Sequence, residues 1–140
     1  MRRMRLWRHA EVVAMRCLLV DDDRTFLETV RGILGRQGVT VAGTASSAAE
    51  ALRQAGTLRP DVAVVDIRLG DENGFDLAPR LVSAGIVVIM TSTSAAVDYA
   101  DLLAESPVAG FLPKAELSAA GIRRLLGEAP ARPAERAPGN

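Results

Sequence analysis

LLVDDDRT, residues 18–25, runs an apolar segment straight into three consecutive carboxylates. Adjacent like charges repel, so Asp21, Asp22 and Asp23 need a reason to stand together where a hydrophobic run stops. The run itself, CLLV at 17–20, is the first of five of one kind: VTVA at 39–42, VAVV at 62–65, IVVIM at 86–90 and VAGFL at 108–112 follow. These runs are rich in Val, Ile and Leu and alternate little between apolar and polar, as strands covered on both faces do. Longer segments with apolar residues at helical spacing lie between them. That alternation predicts βαβ units and an α/β fold built on a parallel sheet.

Between the first two runs, Phe26, Leu27, Val30, Ile33 and Leu34 recur at helix spacing ahead of Gly38, a good stop residue. Ser46 or Ser47 is placed to cap a second helix over SSAAEALRQAG. The third, from about Asn73 to Ala84, contains Pro79, which lacks an amide hydrogen and predicts a kink or a late start. The fourth, about Ala95 to Glu105, offers only Val97, Tyr99, Leu102 and Leu103 as large apolar groups, so it is expected to be the least firmly docked. The last, about Leu117 to Leu126, presents Ile122, Leu125 and Leu126 to the sheet.

A chain of 140 residues suffices for one domain with a proper core, expected here over 15–127. EAPARPAERAPGN, residues 128–140, is too rich in Pro and Ala to pack and reads as a disordered tail. Residues 1–14 form a basic extension with Arg2, Arg3, Arg5, Arg8 and His9. Because Met15 directly precedes the first strand, two readings stay open: translation from Met15, or an arm that touches an acidic partner. Seventeen basic residues balance 17 acidic ones, so nothing proposes a polyanion partner, and no direct DNA binding is expected. The single cysteine, Cys17, lies in an apolar run and reads as a buried thiol in a reducing compartment. No stretch approaches the roughly 18 apolar residues of a membrane span, and residues 1–14 lack the apolar core of a secretion signal. The expected location is the cytoplasm.

In an open parallel sheet, ligands bind beyond the carboxyl ends of the strands. The first run ends in Asp21, Asp22 and Asp23, the third in Asp66, the fourth in Thr91 and Ser92, and the fifth leads to Lys114. Crowded carboxylates in a partly desolvated cleft need protons or a cation. An all-oxygen donor set favours Mg²⁺ over zinc or copper. A metal on one side, an ammonium on the other and a hydroxyl between suit the charge of a transferring phosphoryl group, and an aspartate carboxylate is a competent nucleophile for it.

VDDD at 20–23, VVDIRLGDENG at 64–74, MTS at 90–92 and GFLPK at 110–114 resemble the receiver domain of two-component response regulators. The resemblance runs from about Cys17 to Leu126, and its spacing carries it: 45 residues from Asp21 to Asp66, 25 on to Thr91 and 23 on to Lys114. It implies a doubly wound (βα)5 flavodoxin-like sheet of order 2-1-3-4-5. It further implies that Asp66 accepts the phosphoryl group and that Asp21, Asp22, Asp66 and the backbone carbonyl of Arg68 hold Mg²⁺. Thr91 and Lys114 bind phosphoryl oxygens, and Thr91 and Phe111 switch conformation. Asp23 is expected to cap the first helix instead. The implied partners are a sensor histidine kinase or phosphotransfer protein as donor, with a small phosphodonor as a substitute, and an output protein that reads the face made by the fourth helix and fifth strand. Its only catalysis would be on itself, as phosphoryl acceptance and autodephosphorylation. Three positions depart from the family pattern: Phe111 where tyrosine is frequent, Ala115 where proline is common, and Gly70 in place of a frequent proline, which predicts a more permissive loop.

Two other readings use the same residues. Written as D-x-D-x-T, Asp21, Asp23 and Thr25 look like the first motif of haloacid-dehalogenase-type phosphatases, with Asp21 as nucleophile and Asp23 as acid and base. Against it, no acidic pair follows Lys114 to hold the metal, and Asp66 would have no role. A receiver-like adaptor recognised without phosphate keeps the fold and drops the chemistry; the filled site positions argue against that.

Overall fold

The computed structural model describes residues 15–127, so the readings made for 1–14 and 128–140 fall outside the described residues. Strands β1 (Arg16–Val20), β2 (Thr40–Ala45), β3 (Val62–Asp66), β4 (Val87–Ser92) and β5 (Gly110–Pro113) form one parallel sheet. Its order is 2-1-3-4-5, as expected, with the five strands of this sheet numbered in chain order. Helices α1 (Arg24–Arg36), α2 (Ala48–Leu58), α3 (Gly74–Ser83), α4 (Ala100–Glu105) and α5 (Ala119–Leu125) connect and follow the strands.

Successive strand residues face opposite sides, and each side has its own core. Cys17, Leu19, Val62, Val64 and Ile89 pack with Leu27, Val30 and Leu34 of α1 and Ile122 of α5. Leu18, Val20, Ala63, Val65, Val88 and Met90 pack with Ala51 and Ala55 of α2 and Leu77, Ala78 and Leu81 of α3. This two-sided burial explains why the strand runs do not alternate in polarity. Cys17 is fully buried, and desolvation pushes its thiol pKa up to about 12. A thiol reagent is therefore expected to leave native protein unmodified at pH 8 and to label it rapidly in denaturant. Rapid labelling of the native state would contradict the packing of β1.

Several boundaries differ from the sequence reading. β2 continues to Ala45 because β1 supplies a parallel ladder as far as Val20↔Ala45, with one register shift between Cys17 and Leu18. The ladder overrides the weak strand propensity of Gly43. β5 begins at Gly110, later than the apolar run that predicted it. The cap of α2 is Ser47, whose side chain accepts from the Glu50 amide. α3 has no late start: it begins at Gly74 and carries Pro79 inside it. Pro79 is exposed, so the missing amide is lost on the solvent side and not in the core. α5 starts at Ala119, two residues later than expected, because Ser118 is the cap and its Oγ accepts from Gly121 N at 3.0 Å.

The fourth helical segment is a 3-10 turn, Ala96–Tyr99, running into the short α4. Neither part buries a side chain. A fully buried Leu or Val is worth about 1.5–3 kcal/mol, so α4 lacks the anchors that hold α1. Partly buried Tyr99 and Leu103 are what attach it to the sheet, and Tyr99 lies 6.4 Å from the ring of Phe75.

Candidate functional site

The strand order decides which polar stops meet. β1 and β3 are neighbours, β3 pairs with β4 through Asp66↔Thr91, and β4 pairs with β5 through Thr91↔Leu112. All the sheet's chemistry-bearing ends therefore share one rim, beside the point where the order reverses between β1 and β3. Carboxylate oxygens of Asp21, Asp22 and Asp66 lie within 4.8 Å of one another. Asp21 and Asp66 are buried and Asp22 is exposed. Lys114 reaches over from the end of β5, with Nζ 2.6 Å from Asp21 Oδ2 and 3.3 Å from Asp66 Oδ2.

Each side chain is set by local structure. Asp21 Oδ1 accepts from the Asp23 amide at 2.9 Å. Asp23 caps α1, as expected, with Oδ1 accepting from Phe26 N at 3.1 Å. Asp66 Oδ1 accepts weakly from Arg68 N at 3.3 Å, which folds the chain after β3 back against the carboxylate. Thr91 is buried and its hydroxyl donates to the Leu112 carbonyl at 2.7 Å, so its hydrogen is engaged by β5 and only its lone pairs are free. Ser92 Oγ accepts from Ser94 N at 3.0 Å, a local turn contact. Phe111 is half-buried against the core on the α2 and α3 side.

The loop after β3 corrects one expectation. Arg68–Leu69 pairs antiparallel with Glu72–Asn73, and Gly70 opens the two-residue turn between them with φ at 61°. Proline is fixed near −65° and has no access to that conformation. Gly70 thus belongs to a defined ribbon, with the Gly-first residue order of a type II′ turn, and is not a slackened version of a proline loop. Glu72 ties the ribbon to α2 by accepting from Ala48 N at 2.9 Å.

Two residues that shape the site were not assigned to it from the sequence. Gly74 approaches the backbone of Asp66 so closely that a Cβ would collide with the Asp66 carbonyl oxygen, and its amide donates to Ile67 O at 2.7 Å. The Asn-Gly pair ahead of a helix was the available signal. Phe26, read as a core residue, places its ring centroid 4.4 Å from Lys114 Nζ. No sequence signal links residues so far apart.

Burial and the charge of Asp21 push the Asp66 pKa up to about 6, against the opposing pull of Lys114 and the Arg68 amide. Burial alone would lower the Lys114 pKa, but its pairing with Asp21 and the charge of Asp66 outweigh that and raise it. Three carboxylates against one ammonium leave the ionised pocket with two negative charges in excess. Asp21 Oδ2 is buried and has no hydrogen bond of good geometry, its contact to Lys114 being an ion pair alone. Three hard oxygen donors crowded within 4.8 Å, with negative charge in excess of the one ammonium, fit a small divalent cation such as Mg²⁺.

The family model for the response regulator receiver domain matches residues 17–125. The chain belongs to that family. A similar receiver structure is the signal receiver domain of a modulated diguanylate cyclase from Desulfovibrio desulfuricans G20, 31% identical, with a TM-score of 0.70 over 83% of this chain and 93% of that one. The alginate biosynthesis transcriptional regulatory protein AlgB of Pseudomonas syringae pv. tomato is 37% identical over 105 residues, covering 71% of this receiver chain and 22% of AlgB. A protein-glutamate methylesterase/protein-glutamine glutaminase of Idiomarina loihiensis is 32% identical over 106 residues, 73% of this chain and 28% of the relative. The receiver matches thus span less than half the length of these curated relatives. Among the described residues, no helix is long and apolar enough to cross a membrane.

Proposed function

We propose that this receiver is a phosphorylation switch that takes a phosphoryl group onto Asp66. The observation that carries this reading is the placement of Lys114 Nζ between Asp21 and Asp66, beside three carboxylates clustered within 4.8 Å. At pH 7 a carboxyl with a pKa of about 6 is mostly ionised, so Asp66 is a nucleophile. One of its oxygens attacks the phosphorus of a phosphohistidine on a sensor kinase or phosphotransfer protein. The P–N bond breaks, the imidazole takes its electron pair, and an acyl phosphate forms; acetyl phosphate donates in the same way with a P–O bond breaking. Asp21, Asp22, Asp66 and the Arg68 carbonyl would hold Mg²⁺, which when bound supplies positive charge to the phosphoryl oxygens. Lys114 supplies the second positive charge.

The acyl phosphate adds a charge of about −2 that seeks donors. Thr91 answers by exchanging its bond to Leu112 O for a phosphoryl oxygen, which vacates space that Phe111 fills from β5. α4, without a buried side chain, is the element free to repack in response. The output partner binds that repacked face better and so stabilises the active form. Val97, 78% exposed, and Leu102, 46% exposed, stand there near Asp98, Asp101 and Glu105, so the fitting partner is apolar with a cationic rim. Hydrolysis by water at Asp66 resets the switch. The setting is the cytoplasm, where a kinase's catalytic part would meet it.

The test is where a phosphoryl group lands after incubation with Mg²⁺ and acetyl phosphate. Intact mass reports the adduct, and borohydride trapping with peptide mapping locates it. Label on Asp66 supports the reading. Label on Asp21 with turnover of phosphate esters points to the phosphatase, and no label from any donor points to the adaptor.

A further inference from the structure

Lys114 is held from three directions, and one of them carries no charge. Besides its contacts to Asp21 and Asp66, its Nζ lies 4.4 Å from the centroid of the Phe26 ring. The face of a benzene ring attracts an ammonium through its quadrupole, most strongly where water is scarce. The Lys114 side chain is only 14% exposed. Phe26 is half-buried, and packs against the apolar cluster that includes Leu112 and Leu117 on either side of Lys114. It is also fixed relative to the carboxylates: its amide donates to Asp23 Oδ1, and the Asp23 amide donates to Asp21 Oδ1. One helix turn therefore sets the distance from ring to Asp21.

A lysine side chain is long and flexible, and an ion pair alone leaves it many arrangements. In the structure Lys114 lies nearer Asp21 than Asp66. To serve a phosphoryl group on Asp66 it has to turn without leaving the rim. A ring face suits that movement, because it attracts the ammonium without the directional demand of a hydrogen bond. We propose that Phe26 is a positioning residue for phosphoryl transfer, its ring holding the Lys114 ammonium between Asp21 and Asp66. The inference rests on the reading of Asp66 as the phosphoacceptor.

Phe26→Leu and Phe26→Met remove the ring face while keeping an apolar group of similar bulk; Phe26→Tyr keeps it. At saturating Mg²⁺, labelling by acetyl phosphate is expected to slow about 3- to 30-fold in the Leu and Met variants and to stay within about two-fold of wild type in Phe26→Tyr. In metal-free protein, the Lys114 ε-methylene protons are expected to show an upfield ring-current shift in NMR spectra. That shift is lost in Leu and Met and kept in Tyr, which mere loss of packing would not reproduce. Equal slowing in all three variants, unchanged rates in Leu and Met, or ordinary lysine shifts in wild type each overturn the proposal. A wild type that takes no label overturns instead the reading of Asp66, while the ring-current shift still reports on the contact of Phe26 with Lys114.

Discussion

An Asp66→Asn chain is expected to take up no phosphoryl group and, free of metal at pH 7, to be more stable than wild type. The first effect follows because an amide is no nucleophile, and it distinguishes Asp66 from Asp21, which lies even nearer Lys114. The second follows from the raised pKa. Asp66 ordinarily ionises near 3.8 and in the folded chain near 6, so the unfolded chain loses its proton first as pH rises. A raised folded value means a stability contribution fully present below about pH 4 and lost by the time pH has passed about 6. At 1.36 kcal/mol per pKa unit the loss at pH 7 is on the order of 2–3 kcal/mol, the pull of Lys114 being already contained in the raised pKa, and a neutral Asn recovers up to that much. Thermal unfolding in EDTA from pH 4 to 8 checks it: wild type declines between pH 4 and 6 and the variant much less. Saturating Mg²⁺ should narrow the gap by stabilising wild type more. A variant less stable than wild type at pH 7 without metal would show that the carboxylates are not in mutual repulsion.

Gly74→Ala should be among the most destabilising single-methyl changes in this protein, at about 2–4 kcal/mol. The new Cβ would collide with the carbonyl oxygen of Asp66 and come within 3.1 Å of Met90 Cε. Backbone on a central strand cannot yield as a side chain does. Gly43→Ala is the control, since its Cβ would press on the ends of Gln54 and of Leu58, the latter at 2.7 Å, and both are side chains able to move. Urea denaturation with an unchanged slope should show the larger midpoint loss for Gly74→Ala. Because the collision bears on Asp66, the proposed nucleophile, labelling by acetyl phosphate should also slow in the fraction that remains folded. A smaller loss at Gly74 than at Gly43 would refute the close approach.

Much of this receiver was legible before its structure. The five apolar runs announced a sheet buried on both sides, and their order along the chain with helical segments between announced parallel strands. Asp23 as a cap and α4 as a weakly anchored element were likewise readable, the first from its place ahead of an amphipathic run and the second from its few large apolar groups. The misreadings lie where long-range contacts overrule local preference. β2 extends through Gly43 because β1 offers it hydrogen bonds, and α3 runs through Pro79 because the proline faces solvent. At Gly70 the substitution was visible, but the ribbon that gives a positive φ its use was not.

The sequence by itself determined which residues end the strands, because an apolar run and the polar group that stops it are neighbours along the chain. It also assigned the chain's chemistry to oxygen donors and a single lysine. The tertiary structure decided how those groups face one another: that Lys114 leans closer to Asp21 than to Asp66, that Phe26 lies beside it, and that Gly74 leaves no room behind Asp66. Such distances depend on strand order, register and side-chain packing, which join residues far apart in sequence and so leave no local pattern to read.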